Sequence, residues 1–200
     1  NNTNYMSAKM WYSLGAKRIV AARELSLEEI KELRKNISAD MEIETFVHGA
    51  MCISYSGRCL LSNYLTGRDA NHGECAHPCR WKYYLMEETR PGEYMPVFEN
   101  ERGTYIYNSK DLCMIEYIPQ LVEAGIQSLK IEGRMKTPFY VGTVIKAYRE
   151  AIDDYLESPG KYESRKNYYI EEISKASHRD FTTGFYFGKP GASEQVYTNN

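Results

Sequence analysis

The chain has 200 residues, 42% of them apolar and 26% charged, with 25 basic and 27 acidic side chains. That length suits one domain or slightly more and buries a real core, while the near-neutral balance excludes a domain-wide basic field for nucleic acid, so RNA contact needs a local patch. An apolar run of about 18 residues, as a membrane helix requires, does not occur, and no secretory leader opens the chain; a cytoplasmic protein with no membrane partner is expected.

Thr3 or Asn4 is placed to cap a helix over Tyr5–Leu14, and a helix with no strand before it reads as cut from something longer. Lys17–Ala22 (KRIVAA) reads as a short buried strand. Ser26 and Glu29 form a capping box, opening a helix to about Lys35. Met41–His48 alternates apolar and polar residues, the pattern of a strand. Residues 49–93 are rich in Gly, Cys, Asn, Arg and Pro with weak periodicity, and a segment that long within a domain is usually functional. Glu93–Phe98 and Thr104–Tyr107 predict a hairpin across Asn100–Gly103. Ser109 caps a predicted helix from Asp111 to about Ala124, with Gly125 just beyond its end. Ser128–Ile131 is another buried strand. Thr137 and Pro138 open a helix over about 139–157, closed by Ser158-Pro159-Gly160, and a last helix over about 168–177 precedes a Gly-rich tail.

Strands alternating with helices imply an α/β fold with a parallel sheet and right-handed crossovers. Three strands cannot close an eight-stranded barrel but can be its last three, and a doubly wound sheet fits the alternation almost as well. The expected division is 1–160, including the Cys-rich insert at about 49–93, followed by a C-terminal extension over 161–200.

Four cysteines fall within the insert as Cys52-x6-Cys59-x15-Cys75-x3-Cys79, among Gly57, Gly67, Gly73 and Pro78. Thiols at that density suit a soft, thiophilic metal. Spacing alone leaves open an iron–sulfur cluster, zinc or a pair of disulfides. The first gap is wide for zinc, whose structural sites pair their cysteines closely. Cys113 stands apart, beside Leu112 and Met114, and reads as a buried free thiol.

Several segments resemble a known family: Glu42–Ser62 (EIETFVHGAMCISYSGRCLLS), Arg68–Tyr83 (RDANHGECAHPCRWKY), Arg90–Glu99 (RPGEYMPVFE), Gly103–Leu112 (GTYIYNSKDL), Ser128–Lys136 (SLKIEGRMK) and Ser177–Phe185 (SHRDFTTGF). Together they resemble the collagenase-like peptidases of unassigned catalytic type, the "U-thirty-two" family, and within it the tRNA hydroxylation proteins. The resemblance implies a TIM-like barrel whose earlier strands lie outside these residues. It implies a 4Fe–4S cluster on Cys52, Cys59, Cys75 and Cys79, with zinc as the alternative cofactor. The implied activity is hydroxylation of the wobble uridine of tRNA to 5-hydroxyuridine, with prephenate or a similar carboxylate donor and a possible partner subunit of the same family. Proteolysis is the alternative that the family name carries. The sequence supports it poorly: no G-x-S-x-G elbow and no H-E-x-x-H spacing occur.

In a TIM-like barrel the chemistry gathers where strands end. The three strand ends supply Arg23 and Glu24, then His48, then Lys130, Glu132 and Arg134. Arg58 and Arg134 are the expected guanidinium forks for a substrate with two carboxylates. Glu132 orients an arginine or acts as a base, and His48 shuttles protons or bonds a loop carbonyl. Salt bridges at the barrel rim are the plain alternative for Arg23, Glu24, Glu132 and Arg134. His72 and His77 are expected to support the cysteines from behind. Arg80 and Trp81, in the basic and aromatic run to Tyr84, are the candidates for RNA stacking and phosphate contact, with Lys130 beside them.

Overall fold

The computed structural model describes residues 2–188 apart from 53, 56, 82, 83, 86, 87, 90, 93, 94 and 97–109. Helix α1 spans Tyr5–Ser13, its first turn capped by the Asn4 side chain, which accepts the Ser7 N–H at 2.9 Å. Strand β1 is Arg18–Val20, and α2 is Leu27–Asn36, where Ser26 and Glu29 close the expected capping box. Strand β2, Glu42–Ala50, is the longest. Within the insert lie α3 (Leu61–Thr66) and two 3₁₀ turns, Ala70–His72 and Pro78–Arg80. A short ladder follows, β3 (Tyr84–Leu85) against β4 (Met95–Pro96). Then come β5 (Asp111–Cys113), α4 (Ile118–Glu123), β6 (Ser128–Ile131), α5 (Pro138–Glu157), α6 (Pro159–Ser174) and β7 (Phe181–Thr182).

β1, β2 and β6 are parallel, as their alternation with helices requires, and β2 pairs with both of the others. The sheet is nevertheless mixed. β5 runs antiparallel to the end of β2, with His48 opposite Cys113 and Ala50 opposite Asp111, and β7 adds to β5 in parallel. Among the described residues the sheet does not close into a barrel.

Three expectations are corrected. The predicted helix from Asp111 begins only at Ile118: Asp111, Leu112 and Cys113 are all buried, and pairing with β2 and β7 outweighs their helical context. Ser109, its supposed cap, lies outside the described residues. The hairpin partner of Met95–Pro96 is Tyr84–Leu85, from the insert, while Thr104–Tyr107 lies outside the described residues. Finally, Pro159 does not merely end α5. It sits in the first turn of α6, which therefore starts nine residues before the expected 168.

The core is continuous. Ile30 and Leu33 of α2, Met41, Ile43 and Val47 of the β2 region, and Val144, Ala147 and Ala151 of α5 are all at most 2% exposed. Three tyrosines bury their rings yet satisfy their hydroxyls. Tyr148 donates to the Val47 carbonyl at 2.8 Å, Tyr162 to that of Ile115 at 2.8 Å, and Tyr169 to the Asp154 carboxylate at 2.6 Å. Tyr186 reaches back to the Phe46 carbonyl at 2.7 Å, so the segment after β7 clamps the middle of β2.

Candidate functional site

The chain leaves β2 at Ala50 and runs directly through Met51 and Cys52 into the insert, which folds back over the ends of the parallel strands. The result is a cavity of about 280 Å³. Cys52, Cys59, Cys75 and Cys79 all line it, and so do Arg23 from the end of β1 and Glu132 and Arg134 from the end of β6. Phe46, Met51 and Met135 give it apolar walls.

Local backbone chemistry turns the thiols inward. Gly57, at φ +78°, makes the turn between Cys52 and Cys59. The fully buried Ser62 hydroxyl of α3 accepts the Ala76 N–H at 3.0 Å and ties that helix to the second cysteine pair. His77 is left-handed, at φ 55°, a conformation that costs a non-glycine residue about 1–2 kcal/mol. Its N–H points at the Cys75 sulfur, 3.4 Å away, and the buried Pro78 then opens the turn that carries Cys79. The reversal at His77 lets both thiols face the same space.

None of the five cysteines is in a disulfide. Burial pushes the Cys52 thiol up, and the neighbouring Cys59 and Cys75 push the same way against the backbone N–H of Ser54 and the Arg23 charge. All four thiols line the cavity, and among the described residues no three His, Cys, Asp or Glu side chains converge on a single-ion site. Four thiols on one cavity are donors suited to a thiophilic group, an iron–sulfur cluster or zinc alike.

The same cavity carries charged groups, with Arg23 in electrostatic reach of Cys52. Arg23 places its guanidinium 3.8 Å over the Phe46 ring and meets Glu132 at 3.3 Å. Burial lowers its pKa from the ordinary arginine value, opposed chiefly by the Glu132 charge. The other Glu132 oxygen accepts the backbone N–H of Arg134 at 3.1 Å. Arg134 donates through Nη1 to the His72 carbonyl at 3.2 Å, with its guanidinium lying on Gly73.

The remaining candidates fall elsewhere. Arg58 is exposed and does not line the cavity; the second guanidinium there is Arg23. Glu24 also lies off the cavity, within electrostatic reach of Arg23. Lys130 turns to Glu44 at 3.2 Å. His72 contributes its carbonyl, and His77 lines the cavity. Trp81 is 47% exposed, just past the turn bearing Cys79, and the Arg80 side chain lies outside the described residues. His48 is 1% exposed and packs among Tyr140, Tyr148 and Phe181, away from the thiols, with neither ring nitrogen hydrogen-bonded among the described residues.

No described helix is long and apolar enough to cross a membrane. No solved structure matches the chain. It is 44% identical to tRNA hydroxylation protein P1 of Bacillus subtilis, over 98% of this chain and 45% of that protein. It is 41% identical to tRNA hydroxylation protein P of Escherichia coli, over 92% of this chain and 48% of the relative. At 34% it also resembles a protein of Porphyromonas gingivalis named collagenase, over 94% of this chain and 46% of the other. The chain thus spans about half the length of the curated relatives it matches. Peptidase family U32 matches residues 1–196, and on that extent the chain belongs to peptidase family U32.

Proposed function

We propose that the chain is the cluster-bearing part of a tRNA hydroxylation enzyme that converts wobble uridine to 5-hydroxyuridine, using prephenate or a similar carboxylic acid. One observation carries the reading most: the four cysteines of the insert line a single cavity together with Arg23, Glu132 and Arg134, which are distant from them in sequence. The names of the similar proteins from Bacillus subtilis and Escherichia coli point the same way. In this reading β1, β2 and β6 are the last parallel strands of a TIM-like barrel, with the cavity at their C-terminal ends, where such barrels work.

Cys52, Cys59, Cys75 and Cys79 would hold a 4Fe–4S cluster, which when bound supplies redox chemistry. The charged residues of the same cavity, Glu132 among them, would serve the acid co-substrate and its protons. Arg80 and Trp81, next to Cys79, would meet RNA by phosphate contact and stacking. Proteolysis fits less well, since no serine lines the cavity among the described residues and its cysteines are used as ligands.

Anaerobically prepared protein should be brown and contain iron and sulfide. Cys52→Ser and Cys75→Ser should lose the colour, and a strain deleted for the protein should lack 5-hydroxyuridine in its tRNA, by mass spectrometry. Cys113→Ser should keep the colour, because Cys113 is buried in β5 against Tyr148. Zinc in stoichiometric amount without iron would overturn the cluster. Normal tRNA in the deletion strain, with gelatin cleavage by the pure protein, would overturn the hydroxylation.

A further inference from the structure

Arg23 is a part-buried cation with few hydrogen-bond acceptors among the described residues. Its side chain is 15% exposed, and a guanidinium carries five N–H donors. Among the described residues it meets one acceptor, Glu132, through Nη2 alone at 3.3 Å, and its flat face rests on Phe46. A fork that buried usually takes a carboxylate through two parallel hydrogen bonds. Here the fork lines the cavity, and Arg134 lines it too.

Glu132 is also divided. One oxygen serves Arg23 and the other the backbone N–H of Arg134, and its side chain is 32% exposed. It can leave Arg23 without becoming a buried, unpaired charge, because the backbone bond and water remain. We infer that Arg23 and Arg134 form a subsite for a small carboxylic acid, in which Glu132 is the resident carboxylate that the incoming acid replaces on Arg23. The inference deepens the proposed function by assigning these residues to the acid. Phe46 suits that role, since its ring holds the guanidinium plane fixed from one side and leaves the edge free for a planar acceptor.

The test is a calorimetric titration of the protein with malonate, with inorganic phosphate as the non-carboxylate comparison. Arg23→Gln should weaken malonate binding by about 10- to 100-fold, the loss expected for charged hydrogen bonds. Glu132→Gln should tighten it, by up to about fivefold, because the resident competitor loses its charge. Arg23→Lys keeps the charge without the fork and should bind malonate more weakly than wild type, which preserves the test if the glutamine variant does not fold. Unchanged or weaker binding in Glu132→Gln would overturn the displacement, and unchanged binding in Arg23→Gln would overturn the subsite. Phosphate bound as tightly as malonate, with the same dependence on Arg23, would overturn the assignment to carboxylic acids. Malonate bound as expected with tRNA modification absent would count against the proposed function alone. Modified tRNA with no acid bound at Arg23 would count against this inference alone.

Discussion

Gly73 offers a way to move Arg134 without touching its charge. Its φ is +82°, and a methyl group added there would overlap the Nη1 and Cζ atoms of the Arg134 guanidinium. Gly73→Ala therefore acts twice. The left-handed backbone costs an alanine about 1–2 kcal/mol. The guanidinium must also swing away, giving up its 3.2 Å bond to the His72 carbonyl, worth about 0.5–1.5 kcal/mol. Gly67 separates the two effects. Its φ is +70°, and a Cβ there would meet nothing within 4 Å, so Gly67→Ala carries the backbone penalty alone.

Both variants should fold and lose similar stability in urea, differing by no more than about 1.5 kcal/mol, the worth of the hydrogen bond. They should differ far more in function. A displacement of about 1 Å in a positioning group can cost on the order of 100-fold in rate, close to 3 kcal/mol of barrier. The assay is 5-hydroxyuridine in tRNA from a deletion strain carrying each variant, with the visible absorbance of the purified proteins measured in parallel. Gly73→Ala should lose modification and keep its colour, while Gly67→Ala keeps both. Equal modification in the two would refute the argument that the position of Arg134 matters.

Two pH dependences follow from buried charge. Lys161, Tyr169 and Arg165 hold the Asp154 carboxylate at about 2, below its ordinary 3.8, so its stabilisation is complete above about pH 4 and is lost as the pH falls towards 2. The linked contribution is about 2 kcal/mol, and Asp154→Asn should remove it, giving a urea midpoint that is lower at neutral pH and flatter between pH 4 and 2. Burial lowers His48 from 6.5 to about 4, with Asp111 opposing the shift and His178 and Lys136 adding to it. The unfolded chain therefore takes up that proton first, stability falls by about 3 kcal/mol as the pH drops from about 6.5 to 4, and His48→Phe should abolish that slope in chemical denaturation.

Much of the frame was legible because it rests on short-range chemistry. The Ser26–Glu29 box and the Thr137 cap are local hydrogen bonds, and the apolar runs of β1 and β6 and the alternation of β2 mark strands, although β6 proves only half-buried throughout. Asp111–Cys113 was not legible as a strand. Three residues carry almost no period, and what makes them β5 is pairing with β2, more than 60 residues earlier, and with β7, about 70 later. Pro159 misled for another reason: a proline after a helix and a proline opening the next one look alike in sequence.

The site shows the same division. The insert and its four cysteines stand out by composition, but which arginine joins them does not. Arg58 sits between two of the cysteines in the chain and yet is turned away, whereas Arg23 arrives from 29 residues before Cys52 because β1 lies parallel beside β2 and ends at the same rim. His48 was expected at the rim as the end of its strand, and alternation also sets it on the face of Phe46 and Ala50, both of which line the cavity. The register with β6 slips between Phe46 and His48, and beyond that slip His48 packs against α5 and β7 instead. The same slip delivers Gly49, at φ +107°, beneath Glu132, where any Cβ would overlap the Glu132 carbonyl. One irregularity in the longest strand thus removes a histidine from the rim and brings the β6 end against Gly49, with Glu132 and Arg134 on the cavity that the thiols line.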